Sequence, residues 1–148
     1  MTEDFSYIKL NNHYYYQRGG KTVRTLKYSR QRESIKEFLA GRKDHPTADV
    51  IYENIRLQYP NISLGTVYRN LSLLSSIGEI TKVSTGDGAD HYDGNVHPHN
   101  HFICNKCHCV IDLDMESIDF IKDTASRNFD GKIENYVTNF YGLCKKCL

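Results

Sequence analysis

The sequence predicts an α+β protein built of two unlike halves, and three observations carry that prediction. Charge divides the chain: residues 1–82 hold 13 Lys/Arg against 8 Asp/Glu, and residues 83–148 hold 6 against 10. A net charge of +1 therefore conceals a basic half followed by an acidic one. Apolar periodicity divides the chain the same way, with helical spacing and a short hairpin first and mostly strand-like runs afterwards. Finally, His97–Asp114 reads HPHNHFICNKCHCVIDLD, with four His, three Cys and two Asp. These are metal-binding side chains, soft thiolates beside harder imidazoles and carboxylates.

The first 28 residues, with Tyr14–Tyr16 followed by Gly19-Gly20, are poorly periodic and read as an arm open to partial disorder. Helical signal begins at Ser29, a capping residue, with Ile35, Phe38 and Leu39 on one face and Gly41 as the stop. In HPTADVIYENIRLQYPN, Thr47 caps a second helix whose Ala48, Ile51, Tyr52 and Ile55 fall at i, i+3, i+4 and i+7. Tyr59-Pro60-Asn61 breaks it. Ser63 caps a third, in which Leu64, Val67, Leu71 and Leu74 form an apolar stripe opposite Tyr68, Arg69 and Ser72, and Gly78 ends it. EITKV, the turn STGDGA with Gly86 and Gly88, and DHYD make a hairpin. Helix, helix, turn, helix, hairpin is the order of a winged helix-turn-helix, ending near Tyr92.

The second half offers a short strand HFIC, a CNKC knuckle and a strand CVIDLD. Asp114 caps an expected helix with Met115, Ile118, Ile121 and Ala125 along one side, and KIENYVTNFYG supplies a final strand before CKKCL. The expected division is residues 1–92, a winged-helix DNA-binding domain, and 93–148, a small α/β dimerisation and metal-binding domain. Neither part buries a large core alone, so the acidic half is expected to pair with a second copy of itself.

No apolar run is long enough to span a membrane, and the N-terminus lacks a secretory h-region. The expected location is the cytoplasm, where five Cys point to metal chemistry before disulfides. Cys104-x-x-Cys107 and Cys144-x-x-Cys147 supply two thiolates from each of two tight turns. Four thiolates satisfy tetrahedral Zn²⁺ with no open position, which makes the site structural. A redox dithiol needs only one pair and a thioredoxin-like context, which is missing. Cys109 reads as a small apolar core residue, with a modulating redox role as the alternative.

A second donor set is harder. On a strand, His99 and His101 point to one face, and Asp112 on the returning strand approaches it, with Asp93 upstream at the end of the wing. Surface His pairs are also common without a metal. As a ligand set these residues suit Fe²⁺, Mn²⁺ or Zn²⁺.

HPTADVIY (His45–Tyr52), ISLGTVYRNL (Ile62–Leu71), the block from His99 to Cys107 and YGLCKKC (Tyr141–Cys147) stand in one order and spacing. Together they resemble the ferric uptake regulator (Fur) family of bacterial metalloregulators over roughly residues 29–148. Residues 1–28 match poorly, and the family's DNA-contacting first helix is not evident there. The ligand pattern resembles the peroxide-sensing (PerR) branch. That resemblance implies a regulatory Fe²⁺ or Mn²⁺ site of His45, Asp93, His99, His101 and Asp112. Asp112 stands where the iron- and zinc-sensing branches have Glu, and Asn135-Tyr136 stands where the family's additional site has a His, so that extra site looks absent. His97 and His108 remain unassigned neighbours.

The expected function is a metal-dependent, DNA-binding transcriptional repressor that responds to peroxide by oxidation of a His ligand. The expected partners are a second copy of the chain and an inverted-repeat operator in double-stranded DNA. Tyr68 and Arg69 are the candidate base contacts, with Ser63, Thr66, Arg24, Lys27, Arg30, Arg32 and Lys82 on phosphates. The alternative is a Fur-type iron- or zinc-responsive uptake regulator without peroxide sensing. An enzyme of the non-haem Fe(II) oxygenase type is disfavoured, because five protein ligands leave little room for substrate and oxygen together.

Overall fold

The computed structural model describes residues 6–10, 13–18, 21–86, 89–115, 118, 120–134 and 136–148, with the backbone alone for 6–26. The chain opens with three strands, β1 (Ser6–Leu10), β2 (His13–Arg18) and β3 (Lys21–Lys27), paired antiparallel in the order β1-β2-β3. This corrects the expectation of a poorly ordered arm. Its tyrosines and Thr, Val and Ile residues suit a pleated backbone, a propensity that helical periodicity does not register.

Three helices follow: α1 (Arg30–Leu39), α2 (Ala48–Gln58) and α3 (Leu64–Ser76). Ser29 caps α1, its Oγ accepting the Arg32 N–H at 3.4 Å, and Gly41 takes φ 72° just past the end, a conformation glycine adopts without steric cost. Thr47 occupies the cap of α2 but makes no side-chain capping bond. Ile35, Leu39, Ala48, Ile51, Ile55, Val67, Leu71 and Leu74 form one buried cluster, closed from the side by Ile62, Ile80 and Tyr92. The expected stripes are therefore the core, except that Phe38, Tyr52 and Leu64 are only half-buried.

The wing is the antiparallel pair β4 (Thr81–Ser84) and β5 (Asp90–Asp93); Gly88, expected at its bend, lies outside the described residues. β5 is also stitched to the approach of α2, through a Thr47–His91 bridge and the Tyr92 N–H donated to Pro46 O at 3.1 Å. This places the residue before Pro46 beside the last residue of the wing.

The C-terminal sheet, which follows the β1–β3 sheet and the wing, has the order β7-β6-β8, from β6 (Asn100–Cys104), β7 (Val110–Leu113) and β8 (Asn139–Gly142). β6 runs antiparallel to β7 and parallel to β8. Val83 of the wing packs with Ile103 and Val110 in a small second cluster, so the two halves share apolar contact. The final strand is shorter than KIENYVTNFYG, because only Asn139–Gly142 finds a partner in β6. The helix expected from Asp114 shrinks to α4 (Phe120–Ser126), leaving Met115 and Ile118 before it. None of the α4 residues is buried, and so short a helix has little stability without packing.

Candidate metal centres

The thiolate set is built by two tight turns. His108 N–H donates to Cys104 O at 2.9 Å, and Cys147 N–H to Cys144 O at 2.8 Å, so each CxxC folds both sulfurs to one side. β6 and β8 then bring the two turns together, and all four Sγ atoms lie within 4.8 Å of one another. Cys107 Sγ and Cys144 Sγ are 3.7 Å apart, against about 3.8 Å between sulfurs tetrahedrally disposed around zinc at a Zn–S distance of about 2.3 Å. No cysteine is in a disulfide.

Electrostatics supports the same reading. Backbone N–H groups of Cys107 and Cys144 bring the Cys104 thiol down to about 5, whereas burial and neighbouring thiols push Cys147 up to about 12. Four crowded sulfurs do not all ionise unless a cation neutralises them, and the donor set fits Zn²⁺. Cys109 is not a plain core residue. It is half-buried beside these thiols, burial and their proximity push it up to about 12, and its carbonyl accepts the Cys104 N–H at 3.1 Å.

The second cluster gathers side chains from both halves. His45 comes from the loop before α2, Asp93 from the end of β5, His99 and His101 from the approach to and start of β6, and Asp112 from β7. His101 and Asp112 are cross-strand partners. One ligand atom from each lies within 4.8 Å of the others. Asp112 Oδ1 is 2.9 Å from both His45 Nε2 and His99 Nε2, and Asp93 Oδ2 is 3.3 Å and 3.0 Å from the same two nitrogens. His101 Nε2 is more distant from the two carboxylates, at 3.6 and 3.8 Å.

Those short distances are not well-formed hydrogen bonds. His45 Nε2, Asp93 Oδ2, His99 Nε2, His101 Nε2 and Asp112 Oδ1 are all buried without a partner of proper geometry. Buried polar groups are ordinarily paired. Among the described residues His101 Nδ1 and Asn139 Oδ1 also lack a partner, but the other five orphaned atoms face one another, and three imidazoles with two carboxylates fit a borderline divalent cation. The tautomers agree: His45 Nδ1–H donates to Lys43 O at 3.1 Å and His99 Nδ1–H to His97 O at 2.7 Å, which leaves both Nε2 lone pairs inward.

Charge and strain are concentrated at the same place. Burial alone would raise Asp93, but the facing imidazoles of His101 and His45 and a hydrogen bond from the Asn95 N–H hold its carboxyl well below the usual range. Burial likewise opposes protonation of His45, yet the facing carboxylates of Asp93 and Asp112 outweigh it and raise its pKa. His45 has φ 40°, a conformation costing about 1–3 kcal/mol in a residue with a side chain. His91 Nδ1–H, donating to His45 O at 2.6 Å, helps hold it there.

Sequence reasoning missed His91, Asn95 and Asn139. Asn95 completes a turn, its N–H donating to Asp93 Oδ1 at 2.7 Å, a role foreshadowed by the D-G-N string. Asn139 pairs with His101 across β8 and β6, and no periodicity announces it. Two clefts reach the centre: one of about 300 Å³ lined by Lys82, Val83, His97, His99 and Asn139, the other of about 330 Å³ lined by Arg42, Lys43, Gly94 and Asp112.

On α3, Tyr68 and Arg69 are exposed on the side opposite Val67, Leu71 and Leu74. Ser63 Oγ accepts the Thr66 N–H at 3.1 Å, and Thr66 Oγ1 accepts from the Arg69 guanidinium at 2.9 Å, so the helix start orients Arg69. Lys82 pairs with Asp90 at 2.7 Å. Arg32 departs from expectation. It is buried, its guanidinium donates to Lys27 O at 2.5 Å, and it anchors β3 to α1 instead of facing solvent.

The profile of the Ferric uptake regulator family matches residues 23–141. The chain belongs to the ferric uptake regulator family. It is 35% identical over 117 residues to the peroxide-responsive repressor PerR of Staphylococcus epidermidis, covering 79% of this chain and 78% of that protein. Among solved structures it is similar to the Helicobacter pylori ferric uptake regulator Fur, described as having three functional metal-binding sites, at TM-score 0.72 and 26% identity over 82% of each chain. It is also similar to the Campylobacter jejuni peroxide stress regulator, at TM-score 0.68 and 28% identity over 79% of this chain and 88% of that one. Fur-family proteins are regulators, not enzymes. Strands β1 and β2 precede the matched stretch, and Asn135, the expected mark of a missing third site, lies outside the described residues. Among the described residues, no helix is long and apolar enough to cross a membrane.

Proposed function

We propose that this protein is a metal-dependent, dimeric DNA-binding repressor that responds to peroxide. The observation that carries the reading is the five-atom cluster, because its ligands come from both halves of the chain. His45 belongs to the winged-helix half (residues 1–92) and Asp93 ends its wing at the boundary, while His99, His101 and Asp112 belong to the metal-binding and dimerisation half (93–148). Holding all five atoms at one cation fixes one orientation of the two halves, a two-state element biased by ligand binding. In the closed arrangement α3 of each protomer enters the major groove at one half-site of an inverted repeat. Tyr68 and Arg69 then meet base edges, while Ser63, Thr66 and Lys82 approach phosphates. The four cysteines hold structural Zn²⁺ and tie the C-terminal tail to β6.

The regulatory site is assigned to Fe²⁺ or Mn²⁺. A ferrous ion held by these five side chains would supply the redox chemistry that splits hydrogen peroxide, one oxygen going to an imidazole carbon and the other leaving as water, whereas Mn²⁺ would supply the same charge without that reactivity. His45 and His99 present their rings beside the carboxylates, and the two clefts admit a small oxidant. Gain of an oxygen by either imidazole spoils its fit and releases the halves. Similarity to peroxide-responsive relatives supports this branch over an iron- or zinc-uptake regulator.

The test pairs two measurements on one sample. Fe²⁺-loaded protein bound to an operator duplex selected from random sequence is treated with hydrogen peroxide, and digested peptides are weighed. DNA release with a one-oxygen gain on the His45 or His99 peptide is expected, and Mn²⁺-loaded protein should show neither. Retained binding without the mass gain would leave the uptake-regulator reading in its place.

A further inference from the structure

We propose that the β1–β3 sheet is a second DNA-contacting surface, which lies against the duplex beside the winged helix. The proposal rests on the DNA-binding reading above. Ser6–Lys27 contains Lys9, Arg18, Lys21, Arg24 and Lys27 and no Asp or Glu, although the whole chain is nearly neutral. Such one-sided charge is the electrostatic footprint of a polyanion partner.

The strand registers sort these residues. Directly paired residues share a face. Tyr7, Tyr16 and Arg24 make one row across the sheet, and Lys9, Tyr14 and Leu26 make the next row on the same face. The opposite face carries Ile8, Tyr15 and Thr25 in one row and Leu10, His13 and Lys27 in the next. Three tyrosines, one lysine and one arginine thus occupy a single face. This combination offers phosphate donors and, from tyrosine, both hydroxyl donors and apolar contact with thymine methyl groups.

Position and size agree. β3 leads into α1 through Tyr28 and Ser29 alone, and the Arg32 guanidinium holds the Lys27 carbonyl, so the sheet is attached to the winged helix at a fixed point. Three strands about 4.8 Å apart span about 10 Å, against a major groove about 12 Å wide. A sheet of these dimensions extends the contact beyond the half-site read by α3.

The test uses full-length Mn²⁺-loaded protein and a random-sequence duplex of about 40 base pairs, roughly four helical turns. Affinity is measured against salt concentration. The double variant Lys9→Ala, Arg24→Ala should lower the salt slope by about 1.8 per engaged protomer, at about 0.9 for each phosphate no longer neutralised, and weaken binding at least tenfold. Arg127→Ala with Lys132→Ala, which removes the same charge from the second half, should leave the slope unchanged. Acetylation of the wild-type protein needs no variant: the duplex should slow modification of Lys9 and leave that of Lys132 unchanged. A wild-type slope in the Lys9/Arg24 variant, an equal drop in the control, or an unprotected Lys9 overturns this surface while leaving the repressor reading intact. A weakening confined to single-stranded oligonucleotide also overturns it. Failure of the wild-type protein to bind any duplex overturns both readings.

Discussion

His45 Nε2, on the loop before α2, lies 2.9 Å from Asp112 Oδ1, on β7 of the C-terminal sheet. One atom pair thus spans the two halves of the chain, and neither atom has a well-formed hydrogen-bond partner. Whatever cation these atoms share must report on how the halves are arranged.

Lengthening Asp112 by one methylene tests that relationship. Asp112→Glu should retain metal-dependent DNA binding, since a carboxylate remains, but blunt the response to peroxide by shifting the oxygen from its place between His45 and His99. The measurement is operator binding by the Fe²⁺ form before and after peroxide. An undiminished response would count against Asp112 as the tuning residue.

Gly94 follows Asp93 where the wing passes the end of α1. A Cβ there would stand 2.5 Å from the Leu39 carbonyl oxygen and 2.8 Å from its carbon, backbone atoms that cannot rotate aside. Gly94→Ala should therefore cost about 1–3 kcal/mol of stability. It should also weaken Mn²⁺ binding, because Asp93 must move with the wing. Thermal melts and calorimetric titration check the two effects, and a variant unchanged in both would refute the packing argument.

The cysteine set predicts a different failure. Cys144→Ser should lose zinc, seen by a colorimetric chelator assay, and destabilise the β7-β6-β8 sheet even when Mn²⁺ is abundant. Loss of a bound structural metal removes folding free energy directly. A fully zinc-loaded variant would exclude the four-thiolate assignment.

Protons compete at the mixed site with a definite sign. The His45 pKa is raised in the fold, so in metal-free protein its contribution is complete below the ordinary imidazole value of about 6.5 and is lost as pH rises through the raised value. Metal requires the neutral ring, so the Mn²⁺-loaded protein should gain stability over the same interval. Urea midpoints with chelator and with Mn²⁺, taken between about pH 6 and about pH 9, should slope in opposite directions. Parallel slopes would mean that His45 does not exchange a proton for the metal.

Much of this was legible along the chain. Local patterns act locally: Ser29 and Ser63 cap their helices, Gly41 stops one, and Val67, Leu71 and Leu74 are buried as their spacing requires. The CxxC pairs announced a tetrathiolate set because each pair is a single turn. The segments that form β1, β2 and β3 were misread because a tyrosine-rich, basic set of strands lacks the periodicity that marks a buried face. Arg32 was misread because its charge promised solvent, whereas a carbonyl at the end of β3 holds it inside.

Residue order and spacing are enough to specify which side chains are available, their local turns and helices, and the two donor chemistries packed into HPHNHFICNKCHCVIDLD. Which donors meet is settled at the level of the folded chain. His45 is brought to Asp93 by the Pro46–Tyr92 backbone bond, and to His99 and Asp112 by packing between the wing and the C-terminal sheet. Long-range packing also supplied His91 and a left-handed His45 backbone, which complete and strain the site. A metal site needs several atoms at once within a few ångströms, and chain spacing controls that separation only within a turn or a hairpin. Between segments far apart in sequence, the fold alone sets it.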